Sequence, residues 1–396
     1  MWSFFKSMIS NRRFFLKSTC LLGAGSLLFG IGCNSKSNKY FFSLKKRNGR
    51  WWLIDPSGNP FWSIGINHVD PASLRYSESV NVWNERYSNS MKQWLTSVKK
   101  DLLSWGFNTL GWNQEVVTIN DQHHRHSRSF TFEEYQWLDM PYCHLLPFIE
   151  SHQWENETRL PDIESNGFAE WCDYVARDQC ARMKDDPNLV GYFYTDCPTF
   201  VHNRKENTWK GTLFDPMLLK TDSGRKELKR KATVYYKVLH DSIRRYDKNH
   251  LIFGDRYEAQ APLPEDIIDA AAPYIDVYSF QCFGGPEMVK EKVGFWADYT
   301  KKPVLLADSA VFQEPYKKGW PAPETRHHSP EGYKAIHEVC KAMPGCIGFH
   351  LCGAYIENDV RRYGLKNKLN QVDIPYTNLI KEQNEAMMEW VRNQIE

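Results

Sequence analysis

Two aspartates stand where the chain is best placed to do chemistry. Asp196 follows the apolar run Leu189-Val190-Gly191-Tyr192-Phe193-Tyr194-Thr195, and Asp308 follows Pro303-Val304-Leu305-Leu306-Ala307. Both runs have the length and branching of buried strands. If the strands are parallel neighbours in one sheet, their carboxyl ends share a rim, and so do the two carboxyl groups. A pair of carboxyls can divide proton donation from electrostatic or nucleophilic work, provided their surroundings drive the two pKa values apart. Asp196 is expected to act as general acid and Asp308 as the second carboxylate, with Asp255 and Glu357 as alternative acids. Asp255, Arg256 and Glu357 are also expected to bind substrate, the other reading of Arg256 being a salt bridge that holds Asp255 or Asp308 ionised. Asn67, His68, Asn113, Gln281 and His350 stand at other strand ends, where polar side chains orient a ligand. Trp112, Tyr257, Phe280, Trp209 and Trp320 are candidate stacking surfaces.

A metal is the rival reading of the same rim. Cys197, Cys282, Cys352 and His350 lie near strand ends, and thiolate with imidazole suits zinc. The close-spaced cysteine or histidine pairs of structural zinc sites do not accompany them, so neither metal nor cofactor is expected.

The elements that must position these residues are legible as an alternation. Candidate strands fall at Trp62–Asn67, Phe107–Trp112, Tyr142–Phe148, Leu189–Thr195, Leu251–Asp255, Val277–Phe280, Pro303–Asp308 and Cys346–Leu351. Helical faces separate them: Met91, Trp94, Leu95, Val98, Leu102 and Trp105; then Phe168, Trp171, Cys172, Val175, Ala176, Cys180 and Met183; then Leu228, Ala232, Tyr235, Leu239, Ile243 and Tyr246. The fold class expected is an α/β (β/α)8 TIM barrel. A β-hairpin around Asp55-Pro56-Ser57-Gly58-Asn59 precedes it, and a helix after Pro375 closes it. Irregular stretches at Glu115–Asp139, Cys197–Ser223 and Phe312–Ser329 follow strands two, four and seven, so they open on the ligand-facing rim. The basic segment His123–Arg128 within the first of them is a candidate contact for an anionic ligand.

The amino terminus reads as an address. Arg12-Arg13-Phe14-Phe15-Leu16-Lys17 precedes an uncharged run from Ser18 to Gly32, too short to span a bilayer as a helix and similar to a twin-arginine export signal. Cys33 ends the run as a lipidation candidate. The expected organisation is an export segment over 1–33, a polar tether over 34–39 and the barrel over 40–396, in a periplasmic or membrane-anchored protein. Beyond the signal the chain holds 46 basic and 48 acidic side chains, a balance that gives no cause to expect nucleic acid as a partner. The remaining eight cysteines sit in apolar patterns and are expected as buried thiols.

Several motifs recur in an order that resembles the retaining barrel glycoside hydrolases, most closely the β-agarase-type enzymes of glycoside hydrolase family 50. They are Asn48-Gly49-Arg50-Trp51-Trp52-Leu53-Ile54-Asp55-Pro56-Ser57-Gly58, Phe61-Trp62-Ser63-Ile64-Gly65-Ile66-Asn67, Trp105-Gly106-Phe107-Asn108-Thr109-Leu110-Gly111-Trp112, Lys184-Asp185-Asp186-Pro187-Asn188 leading into Asp196, Tyr246-Asp247-Lys248-Asn249-His250 leading into Tyr257, and Lys302 leading into Asp308. The resemblance covers about residues 40–396 and implies hydrolysis of a polysaccharide or its oligosaccharides, agar-type galactan foremost. The alternative is a barrel that binds glycan without cleaving it. In that clan strand four ends Asn-Glu and strand seven ends in a nucleophilic Glu; here Asp196-Cys197 and Asp308 stand there. Two side chains each shortened by a methylene widen the gap between carboxyls by about 2 Å, toward the spacing of inverting enzymes.

Overall fold

The computed structural model describes residues 41–75, 80–114, 116–120, 123–126, 128–149, 162–196, 198, 200, 213, 215–310, 329–353, 355–357 and 364–394. The export segment with Cys33, and Cys197, Trp209 and Trp320, lie outside these residues.

The described chain opens with an antiparallel sheet of β1 (Ser43–Arg47), β2 (Arg50–Ile54) and β3 (Pro60–Phe61). The expected hairpin is β2–β3, with Leu53 opposite Phe61. Strand β1 adds a second hairpin that the sequence reading missed. Its signal is Asn48-Gly49, with φ 48° and 79°, the left-handed pair that a two-residue turn between twisted strands demands.

All eight expected barrel strands form: β4 (Ser63–Ile66), β5 (Thr109–Leu110), β8 (Tyr142–Leu145), β9 (Leu189–Asp196), β10 (Leu251–Glu258), β11 (Tyr278–Gln281), β12 (Val304–Ser309) and β13 (Cys346–Leu351). They pair in parallel and close, β13 returning to β4. The intervening β6 (Val116–Asn120) and β7 (His123–His126) form an antiparallel hairpin outside the barrel. The first stretch expected to be irregular therefore holds a hairpin and the helix Phe132–Leu138, which starts in a capping box of Thr131 and Glu134. The side chains of His123–His126 lie outside the described residues. Arg128 is engaged by Glu134 through two hydrogen bonds.

Helices pack outside the strands as the three- and four-residue spacings require. The inward faces of Met91–Ser104, Asn166–Met183 and Asp222–Tyr246 are buried, and Ile374–Asn393 closes the ring. Trp171 departs from its expected face: it is 46% exposed, its indole N–H donating to Phe148 O at 3.0 Å. Ser90, Ser165, Thr221 and Ser329 cap four of the helices. The seven described cysteines are buried and form no disulfide among the described residues. Among the described residues no helix is long and apolar enough to cross a membrane.

The core divides in two. One apolar cluster lies between helices and strands. A smaller one fills the barrel, where Val190, Leu251, Val277, Leu305 and Ile347 meet Phe42, Leu53 and Phe61 of the N-terminal segment and its sheet. That sheet plugs the amino-terminal end of the barrel, which leaves the carboxyl-terminal end for polar groups.

Candidate active site

A strand that alternated strictly would keep Arg256 out of the barrel. Leu251 and Phe253 face the lumen and Ile252 faces the helices, so Asp255 would come next inward. Gly254 breaks the alternation. Its φ is +65°, and the register with β9 shifts on both sides of it. This bulge turns Asp255 outward and Arg256 inward. Strand β12 does the same at Ala307. Leu305 and Ala307 face the lumen, the register against β11 skips a residue between Leu306 and Asp308, and Asp308 also comes inward. The Ala307 carbonyl then accepts from Asn67 Nδ2 at 2.8 Å and Arg256 Nη2 at 3.1 Å.

Arg256 is the centre of the resulting site. Its Nη1 donates to Asp196 Oδ1 and its Nη2 to Asp308 Oδ2 at 3.0 Å. All three side chains are buried. Gln281 donates to Asp196 Oδ1 at 2.7 Å and to Arg256 O at 3.1 Å. The guanidinium lies over Trp112 at 5.0 Å and beside Phe193 at 5.5 Å. Burial alone would raise the Asp308 carboxyl, but the His68 ring and the guanidinium outweigh it and hold the group well below its ordinary range. Asp308 Oδ1 has no hydrogen-bond partner among the described residues.

His68 adopts φ +61° just beyond β4. Its Nε2 lies 3.8 Å from Asp308 Oδ2 and 3.5 Å from Cys352 Sγ. Asn67 beside it is structural: its carbonyl accepts from Trp112 N at 2.8 Å and its amide ties to Ala307, so it fastens β4 to β5 and β12. His350 lies deeper in the barrel, where Nε2 meets Ser63 Oγ at 2.8 Å. A Cβ on Gly65 would fall 2.2 Å from this ring, and one on Gly111 would fall 2.7 Å from it. Burial pushes the His350 imidazole down to about 3, Arg256 adding to the effect, so the ring is neutral and sits below the rim as packing.

Other candidates are placed differently from the sequence reading. Asp255 and Tyr257 face the helix Asp222–Tyr246, not the lumen. Asp255 accepts from Tyr235 at 3.1 Å, Tyr236 at 2.8 Å and Thr195 N at 3.1 Å, and Tyr257 bonds Tyr236 at 2.7 Å. Phe280 belongs to the outer core too. Trp112 is fully buried beneath Arg256, so it is packing for the guanidinium and offers no open face. Glu357 is half-buried beyond β13, its N–H donating to Lys366 O at 2.8 Å. Asn113 is buried at the end of β5, and both polar atoms of its side chain lack partners among the described residues. The rival zinc set is not assembled either. Cys282 packs in the outer core and His350 serves the barrel interior; Cys352 alone of the described members reaches the rim cluster.

No family model matches the sequence, and no curated protein does. Solved structures do. The chain is similar to an agarase at TM-score 0.65 and 15% identity, over 90% of this chain and 65% of that one. It is similar to an exo-β-agarase at 0.66 and 15%, over 91% and 66%. A β-glucuronidase of Bacteroides uniformis follows at 0.55 and 10%, over 86% and 37%. The chain thus spans just under two thirds of the length of these agarases. What the likeness establishes is the architecture: a closed (β/α)8 barrel of the form found in agarases and β-glucuronidases.

Proposed function

We propose that the chain is a glycoside hydrolase acting on a polysaccharide or its oligosaccharides, with Asp196 and Asp308 as its pair of carboxyl groups. The observation that carries this reading is the meeting of Asp196 and Asp308, from β9 and β12, on one guanidinium at the carboxyl-terminal mouth of the barrel. Glycosidic cleavage needs two carboxyls flanking one bond, and barrel enzymes place them at this end. Likeness in fold to agarases favours an agar-type galactan, and the shortened carboxylates favour inversion at the anomeric carbon.

Product analysis on a panel of algal and plant oligosaccharides tests the reading. Wild type should cleave at least one, and Asp196→Asn and Asp308→Asn should each lower turnover by roughly 10²–10⁴-fold while leaving the protein folded. Binding without cleavage by wild type would sink it. It would favour a glycan-binding barrel, the second reading, to which the clamp of Arg256 on both carboxylates lends support. The Arg12-Arg13 signal and Cys33 support export and anchoring at a membrane; cell fractionation of the full chain and of Arg12→Lys/Arg13→Lys tests that.

A further inference from the structure

We propose that His68, Asp308 and Cys352 form a binding site for a zinc-class divalent cation. The three side chains come from neighbouring barrel strands: His68 follows β4, Asp308 lies in β12 and Cys352 follows β13, which runs between them. All three are buried, and their ligand atoms lie within 4.8 Å of one another.

The geometry separates this cluster from a catalytic relay. In a cysteine–histidine–aspartate relay the thiol and the carboxylate use opposite nitrogens of the ring. Here both face the same nitrogen: Cys352 Sγ is 3.5 Å and Asp308 Oδ2 is 3.8 Å from His68 Nε2. One nitrogen carries one hydrogen and cannot serve both, and 3.8 Å is beyond a direct hydrogen bond. A cation between the three ligand atoms can bond all of them. Zn–S near 2.3 Å and Zn–N near 2.0 Å at a tetrahedral angle set sulfur and nitrogen roughly 3.5 Å apart, which matches the Cys352–His68 spacing. Asp308 can meet both Arg256 and the cation, because a carboxylate has two oxygens: Oδ2 accepts from Arg256, Oδ1 has no hydrogen-bond partner among the described residues, and one of the two lies within reach of the other ligand atoms. Thiolate, imidazole and carboxylate together select zinc or cobalt over magnesium or calcium. Three protein ligands leave a fourth position, which a water or a sugar hydroxyl can take.

The site goes beyond the glycosidase reading and competes with it for one side chain. A cation holding Asp308 withdraws that carboxylate from the bond to be cleaved, so the loaded form should bind glycan and turn it over slowly.

The test is metal uptake by the purified full chain, read without substrate. Chelator-treated protein should take up one equivalent of Zn²⁺. With Co²⁺ it should show the thiolate-to-metal charge-transfer band and the visible bands of a tetrahedral site. Cys352→Ser should abolish the charge-transfer band. His68→Asn, chosen because asparagine tolerates the positive φ, should weaken binding by roughly 100-fold or more. No stoichiometric uptake, a cobalt spectrum without a thiolate band, or uptake unchanged in folded Cys352→Ser would overturn the proposal. The wild-type cobalt spectrum stands even if a variant fails to fold. Failure here leaves the glycosidase reading intact, and absence of turnover in metal-free protein sinks that reading without touching this one.

Discussion

Asp255 and Arg256 are neighbours in sequence that live in two different environments, and the contrast between them explains the site. On the outer face Asp255 is buried among Tyr235, Tyr236, Thr195 and, behind them, Tyr257. The groups bonded to it are neutral. Burial dominates, and the carboxyl is pushed up to about 6 even though the hydrogen bonds from Tyr236, Tyr235 and Thr195 oppose the rise. On the lumen face Asp308 is equally buried, but His68 and a guanidinium stand beside it and its carboxyl falls well below the usual range. Neutral donors leave Asp255 raised, whereas His68 and Arg256 together hold Asp308 ionised. The lumen is where fixed charge is concentrated; the outer pocket positions the end of β9, because Asp255 holds Thr195 N and Thr195 precedes Asp196.

The largest expected effect removes the cation that makes the difference. Arg256→Met should leave Asp196 and Asp308 buried without their guanidinium and cost about 3–5 kcal/mol in chemical denaturation. A loss under about 1 kcal/mol would mean that the lumen carboxylates do not depend on Arg256.

Next in size is the pH dependence set by Asp255. Its folded pKa, about 6, lies above its unfolded value, so its contribution to stability is greatest at low pH. That contribution declines once pH passes the unfolded value near 4 and is gone above about 6, a change on the order of 3 kcal/mol. Denaturation midpoints of Asp255→Asn from pH 4 to 7 should lack this component. Identical pH profiles for variant and wild type would erase the contrast between the two faces.

Smaller again is the bulge between them. Gly254→Ala places a Cβ at φ +65° and 2.8 Å from Ile275 Cγ2, with an expected cost of about 1–3 kcal/mol. Because the bulge aims Arg256, the variant should also lose glycan affinity or turnover beyond its loss of stability. A stability change alone would show that Arg256 reaches the lumen without it.

Much of this was legible in the chain itself. Eight apolar runs separated by amphipathic helices point to an α/β barrel, because each helix buries one face and each strand buries two, one against the helices and one in the lumen. The positions of Asp196, Arg256 and Asp308 at strand ends were equally readable, since register along a strand is a matter of counting. Facing was not. Alternation puts Asp255 inward and Arg256 outward, and Leu305 and Ala307 make Asp308 an outward residue; the left-handed Gly254 and the slipped register at Ala307 reverse both. A bulge is a property of two paired strands, set by what each must pack against, so one strand's sequence does not announce it. The meeting of His68 with Cys352, 284 positions apart, has the same origin: closure of β13 onto β4 brings them together, and only the folded ring contains that contact.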